Sequence, residues 1–338
     1  MENIYADALE AVLRDHCTPA TVRAIEAGAD PSAAAALWAR LDASGFADSL
    51  LPDAGLSLQD LLPMLLVAGQ YAVPVPLGQT IFARALLHAA GVAIPAEAIA
   101  LAEVEASGRA TVACGATATW FLAQQADRAW LLHRDAAGVA ATGVHGDLTV
   151  GIACGPETPQ AFALPAGTLR TVGAALHAAL MAGAMARVFD LTLQYANDRA
   201  QFGRPIGKFQ AIQHQISVMA EHVAAARMAA QIGLCADGWQ PERLQVAIAK
   251  FNASDAVGAV TSMAHAVHGA IGVTSEYDLQ IYTRRLHAWR IADGSERYWA
   301  REIGQAAIDA DAGAVDTIRQ WSGEAMQDDG VGGVQAGR

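Results

Sequence analysis

Apolar residues near the start of the chain recur three and four apart: Ile4, Ala8, Leu9, Val12 and Leu13, then Val22, Ile25, Ala34, Leu37 and Trp38. That spacing gathers them on one side of a 3.6-residue period, so two or three amphipathic helices open the chain. After the loop LPDAGLS the period returns over 58–70, breaks at Pro74 and Pro76 in YAVPVPLGQ, and resumes over 80–90. From 99 to 165 the pattern shortens. Runs at 99–104, 111–114, 128–133, 138–142 and 147–152 are split by Gly and charged turns, which is the spacing of strands. A sheet this small needs helices on one side to bury its apolar face. Beyond 168 the helical period is long, over 169–197, 206–238, 241–267 and 295–320, and the short connections predict an antiparallel four-helix bundle. The closing QDDGVGGVQAGR has no apolar period and reads as a frayed tail. The expected fold class is α+β, mostly α. It comprises an N-terminal helical domain (1–97), a small, shortened β middle domain (98–166), a C-terminal four-helix bundle (167–322) and a flexible tail (323–338).

Composition narrows the function. With 338 residues, 53% of them hydrophobic, the chain can bury a substantial core. Its 22 Lys and Arg against 34 Asp and Glu leave a formal charge of −12, which argues against a nucleic-acid partner because phosphate backbones require a basic face. Cys17, Cys114, Cys154 and Cys235 lie far apart with no CxxC pair, so neither a disulfide framework nor structural zinc is expected. The opening segment carries Glu2, Asp7 and Glu10 where a signal peptide needs a basic start and an apolar run. The most apolar stretch, 172–189, is interrupted by His177 and Arg187 and falls short of the ~20 residues of a membrane span. A cytoplasmic chain without a membrane span is the resulting expectation. Walker, Rossmann, zincin and α/β-hydrolase motifs are all absent from the sequence.

Two segments differ from ordinary core helix. YANDRAQFGRPIGKFQ (195–210) closes one helix at a Gly-Arg-Pro turn and leaves Arg199, Gln201, Phe202 and Gln210 near the break. A guanidinium, amides and a ring at a helix junction suit a diphosphate and an adenine, although Arg199 paired with Asp198 and Phe202 in a core would explain the same residues. The second, AHAVHGAIGVTSEYDLQIYTRR (264–285), carries Gly269 and Gly272, which permit close backbone approach. His265 and His268 lie three apart without a third ligand, so satisfied histidines at a helix end are favoured over a metal site. Trp120 and Phe121 read as core, Glu276 with Arg285 as a structural ion pair, and Arg284 and Arg285 as residues of a helix end.

Together with IADGSER, these segments resemble the acyl-CoA dehydrogenase family. Its C-terminal domain carries YAxxRxQFGxPIxxFQ, HGGxGxTxEYPL and a catalytic YEGT-like stretch; the spacing from the glutamate of TSEY to the catalytic position also holds. The likeness is strong over 168–304, fair over 41–91 and poor between. It implies a helical N-terminal domain, a β middle domain and a four-helix C-terminal domain. It also implies FAD as cofactor, an acyl-CoA substrate and an electron-transferring flavoprotein as electron acceptor. In the family a carboxylate removes the α-proton of the thioester while the β-hydride passes to the flavin. By this resemblance Arg199, Gln201, Phe202 and Gln210 match residues holding the pyrophosphate and adenine half of FAD, and His268, Gly269 and Gly272 match a second flavin-contacting stretch.

The sequence departs from the family at two places. The YEGT slot reads Ala292, Asp293, Gly294, Ser295, so the base position holds an aspartate, one methylene short of a glutamate. The alternative base position of some members falls near Gly173, where no carboxylate is available. The ring-side motif TEPxxGSD survives only as Ala102, Glu103, Val104. In the family the two retained stretches reach across a dimer interface to the neighbour's FAD. The resemblance therefore implies one subunit of an α2β2 enzyme acting with a second acyl-CoA dehydrogenase subunit on a bulky, steroid side-chain-like CoA ester. The alternatives are a self-sufficient homo-oligomer using Asp293 as base and a catalytically inactive scaffold subunit.

Overall fold

The computed structural model describes residues 3–28, 31–144, 146–154, 161–236, 238–310 and 313–321. The opening helices are α1 (Ile4–His16), α2 (Pro19–Glu26), α3 (Pro31–Ala43), α4 (Leu58–Gln70) and α5 (Leu77–Ala89). Their starts are written locally. The Asn3 side chain accepts from the amides of Tyr5 and Ala6, Thr18 caps α2 with Pro19 in the first turn, and Ser57 with Asp60 forms a capping box on α4. Helix α5 starts at Leu77, three residues before its predicted start, because its first turn is buried and joined to the β region. Gln79 accepts from the Leu101 amide, and Thr80 exchanges hydrogen bonds with both the amide and the carbonyl of Ile99.

The single expected sheet is two. β1 (Ile99–Glu103), β3 (Trp120–Gln125), β4 (Arg128–His133) and β7 (Phe162–Ala163) form one, in the order β1-β3-β4-β7. β2 (Arg109–Val112), β5 (Ala140–Ala141) and β6 (Val150–Ala153) form the other, in the order β2-β6-β5. Residues two apart face each other across the gap: Ala100 and Ala102, Phe121 and Ala123, Trp130 and Leu132 from one sheet, Ala110, Val112, Val150 and Ile152 from the other. Strand β3, parallel to β1 and antiparallel to β4, is absent from the predicted runs. Its WFLAQQ is buried along four successive positions and so lacks the alternation that marks a half-exposed strand. Phe121 is core, whereas Trp120 stacks edge-on against His133.

The remaining helices are α6 (Thr168–Asp198), α7 (Gln210–Gly233), α8 (Arg243–His268), α9 (Leu279–Ile291), α10 (Glu296–Asp309) and α11 (Ala314–Trp321); β8 (Ala200–Gln201) and β9 (Arg204–Pro205) form a hairpin between α6 and α7. Helices α6, α7 and α8 pack on one another, with α9 against α6 and α10 against α8. Two expectations are corrected here. The run 295–320 is not one helix but α10 and α11, and α9 occupies 279–291, so Arg284 and Arg285 lie mid-helix. The apolar segment around 172–189 belongs to a helix of 31 residues, which with 243–273 is long and apolar enough to cross a membrane by length and composition; 78% of its apolar window is buried inside the protein. None of the four cysteines is in a disulfide among the described residues. The predicted tail lies outside the described residues.

Candidate active site

A cavity of about 790 Å3 opens between the β region and helices α6 and α9, with Gln79, Leu101, Thr149, His177, Arg285 and Asp293 among its walls. Asp293 stands in the turn that ends α9, at φ +54°, a left-handed conformation that aspartate tolerates better than most residues, followed by Gly294 at φ +102°. Three groups fix this turn. Trp299 Nε1 donates to the Asp293 carbonyl (3.1 Å). Ala292 closes α9 with its amide on the Ala288 carbonyl. From α8, the fully buried Lys250 Nζ lies 3.0, 2.8 and 3.0 Å from the carbonyls of Trp289, Arg290 and Gly294 and 3.1 Å from Ser254 Oγ, four oxygens that share its three N–H groups.

Burial lowers Lys250 from 10.5 to about 7, against the pull of Asp293 and Glu296. Between pH 7 and 10 the unfolded chain therefore keeps a proton that the native lysine releases, so this residue makes stability rise with pH over that window. Lys250→Met is expected to lack that rise, the gap between the two proteins changing by on the order of 4 kcal/mol across the window. Urea unfolding at pH 7 and pH 10 measures it; parallel curves for the two proteins would contradict the assignment.

The Asp293 carboxylate meets His177 of α6, Oδ2 lying 2.7 Å from Nδ1, with the imidazole side chain 3% exposed and the carboxylate 22%. One helical turn earlier, Gly173 makes the room. A methyl there would stand 2.5 Å from Asp293 Cγ and 2.7 Å from Oδ1. The two base positions expected from the sequence, 293 and the neighbourhood of 173, thus face each other across one contact. Periodicity marks His177 only as an interruption of an apolar helix. Its position one turn beyond Gly173, on the same helix face, is the signal that could have found it.

Nearby, Glu103 at the end of β1 pairs with Arg170 (2.6 Å), and burial pushes its carboxyl above the ordinary range despite that partner. Arg170 lies over the Tyr298 ring, 4.8 Å from its centroid. Glu26 is buried between Arg284 and Arg285, at 2.7 and 3.0 Å. The expected Glu276–Arg285 pair is therefore replaced, and Glu276 is exposed on the turn before α9.

The seven residues matched to flavin contacts lie elsewhere, and none lines the cavity. Arg199 caps α6 in extended conformation, and Gln201 is exposed in β8. Phe202 tips the hairpin at φ +53°, 91% exposed, its ring edge-on to Phe209. Gln210 is exposed at the start of α7. Buried at the end of α8, His268 stacks on Tyr195 (4.5 Å) and gives Nδ1 to the Ala264 carbonyl (2.8 Å), while burial depresses its pKa. Gly269 takes φ +63°, and Gly272 packs where a Cβ would stand 3.0 Å from that of His268. Tyr195 and His268 thereby bring the two sequence segments together one turn before Arg199. Among the described residues no cluster of His, Cys, Asp and Glu could hold a metal ion.

Comparisons with known proteins bear on the family and the fold. Residues 167–308 match the acyl-CoA dehydrogenase C-terminal domain. The chain is similar to acyl-CoA dehydrogenase IpdE2 of Mycolicibacterium smegmatis, 32% identical over 83% of this chain and 90% of that protein. The Mycobacterium tuberculosis IpdE2 is 31% identical over 83% and 89%. In fold it resembles the ChsE4-ChsE5 complex from M. tuberculosis (TM-score 0.78, 20% identity, 92% and 99% covered). It is similar also to glutaryl-CoA dehydrogenase from M. smegmatis (TM-score 0.72, 20% identity, 91% and 94% covered).

Proposed function

The chain belongs to the acyl-CoA dehydrogenase family, whose cofactor is FAD, and from that premise we propose that it works as one subunit of a two-subunit dehydrogenase of α2β2 form. In that enzyme it lends its exposed arm to a FAD seated mainly on the partner. The observation that carries the reading is the separation of the arm from the chain's own cavity. Arg199, Gln201, Phe202 and Gln210 all face outward, and an aromatic ring 91% exposed at a hairpin tip is a group that awaits a neighbour. A guanidinium and two amides there fit the pyrophosphate and adenine half of the cofactor. The place of the ring-side motif is different in kind. Glu103 is tied to Arg170, and both ends of the Gln79 amide are spent on backbone, at Leu101 and Ala113. When bound, FAD supplies a hydride acceptor for the carbon β to the thioester. This chain's residues would then fix the cofactor's outer half.

IpdE2 is named an acyl-CoA dehydrogenase, which supports the activity, and the ChsE4-ChsE5 structure is of a complex, which supports the pairing. The cavity of about 790 Å3 suits a bulky, ring-bearing acyl group such as a steroid side-chain intermediate. The electrons then pass to an electron-transferring flavoprotein, the assembly residing in the cytoplasm. The His177–Asp293 pair favours a second reading, a self-sufficient homo-oligomer with its own base.

Flavin content separates the two. Co-expressed with a family member that keeps the ring-side motif and the glutamate, the complex is expected to hold about half a flavin per chain, and this chain alone none. Arg199→Ala is expected to weaken the complex's flavin affinity by roughly tenfold, the loss of one charge-assisted contact worth ~1.5 kcal/mol. One flavin per chain for the lone protein would establish the self-sufficient reading instead.

A further inference from the structure

We propose that His177 is the residue that takes the proton from an acyl chain bound in this cavity, and that Asp293 is the positioning residue that holds its imidazole. The inference rests on the reading that the cavity receives an acyl-CoA thioester.

Geometry argues first. The Asp293 carboxylate is seated on the α6 backbone over Gly173, with Oδ2 committed to His177 Nδ1 at 2.7 Å. The main chain of its turn is clamped from two sides by Lys250 and Trp299, which fixes where the carboxylate starts. With one methylene fewer than glutamate it is also short of reach by roughly 1.5 Å, a displacement that matters greatly at a reacting centre. The imidazole forms part of the cavity wall beside it. A carboxylate on Nδ1 selects the tautomer with the proton on that nitrogen and leaves the Nε2 lone pair as the acceptor.

Chemistry argues second. A thioester α-carbon is a weak acid, so its base must be held in place and its conjugate acid stabilised, and an imidazole with a carboxylate on its other nitrogen meets both needs. The carboxylate is better used beside the imidazolium that forms, stabilising its charge in a water-poor site. In the step itself the C–H bond α to the thioester carbonyl breaks and an N–H bond forms at Nε2. The electron pair remains on carbon as the thioester enolate. Returning a solvent-derived proton reverses the step, so exchange at the α-carbon needs no oxidant. Other charged or titratable groups on this cavity's walls are Asp147, Arg284, Arg285 and His287, with Lys250 and Glu103 acting on Asp293 from behind.

The test is deuterium exchange. The full chain is incubated in D2O with cyclohexylacetyl-CoA, binding is measured by equilibrium dialysis, and α-deuteration is followed by mass spectrometry. Wild type is expected to catalyse exchange. His177→Ala and the better space-filling His177→Gln, with unchanged circular dichroism, are expected to lose it by roughly a thousandfold, the usual scale for removing a general base. Added imidazole restores His177→Ala, which a purely structural role would not allow, and Asp293→Asn retains a measurable fraction of the rate. Failure of the probe to bind would sink the reading of the cavity and this inference with it. Binding without exchange, exchange indifferent to His177, or exchange abolished by Asp293→Asn and spared by His177→Gln would overturn the inference alone.

Discussion

Gly183→Val is expected to cost the folded chain about 3 kcal/mol or more, and to do so far from any chemistry. Helices α4 and α6 cross with almost nothing between their backbones. A methyl at Gly183 would stand 2.8 Å from the Leu66 carbonyl carbon and closer still to its oxygen. One turn away the relation is reciprocal, a methyl at Gly69 falling 2.9 Å from the Leu180 carbonyl carbon. Both obstacles are backbone, which no rotamer change can move, so the helices must separate. Separation would open the packing around Leu65, Met64, Ala179 and Ala182, all buried in the same core. Overpacking in a tight core typically costs 1–3 kcal/mol, and a β-branched side chain at a backbone crossing stands at or above the upper end. Intrinsic propensity pushes the other way, since replacing a mid-helix glycine gains up to ~1 kcal/mol. The sign of the measured change therefore reports directly on the crossing. Urea denaturation of Gly183→Ala, Gly183→Val and Gly69→Ala should give a loss in all three, largest for valine; a stabilised Gly183→Ala would mean the helices do not meet here.

How much of this was legible in the sequence depends on whether an element's signal is local. Helix α4 is predicted at its observed bounds because Ser57, Asp60 and an amphipathic repeat are all local marks. Strand β4 is likewise found because Arg128 and His133 bracket its apolar run. Strand β3 escapes because it is buried between two neighbours, and a strand covered on both faces has no period-two pattern. The break between α10 and α11 escapes because Ala310 leaves the helix in extended conformation without a proline or glycine at that residue. The site divides the same way. Asp293 and the outward arm are legible because a motif carries them as contiguous residues. Gly173 is legible only as a base position without a carboxylate, and His177 and Lys250 are not legible, because each acts on Asp293 from another helix, across 116 and 43 positions of sequence.

Gly173→Ala is expected to disable the site while leaving the fold standing, the inverse of Gly183→Val ten residues along the same helix. The added methyl would meet all three terminal atoms of the Asp293 side chain, Cγ at 2.5 Å and Oδ1 at 2.7 Å among them. A side chain can yield where a backbone cannot. Asp293 is 22% exposed on the cavity side, so its carboxylate can rotate toward the opening at little cost to the core. Rotation breaks the 2.7 Å contact with His177 Nδ1, freeing the imidazole to change tautomer and orientation. A misplacement of about 1 Å in a reacting group costs on the order of a hundredfold, and that is the expected fall in α-proton exchange by this chain. Stability should move little, because the ~1 kcal/mol gained in helix propensity offsets the displaced contact. Gly173→Ser separates steric from polar effects: its hydroxyl could replace one hydrogen bond to the carboxylate but not the room it occupies, so the rate should stay low. If Gly173→Ala kept the full rate of exchange, the hydrogen bond between His177 and Asp293 would have no part in proton transfer, whatever its length.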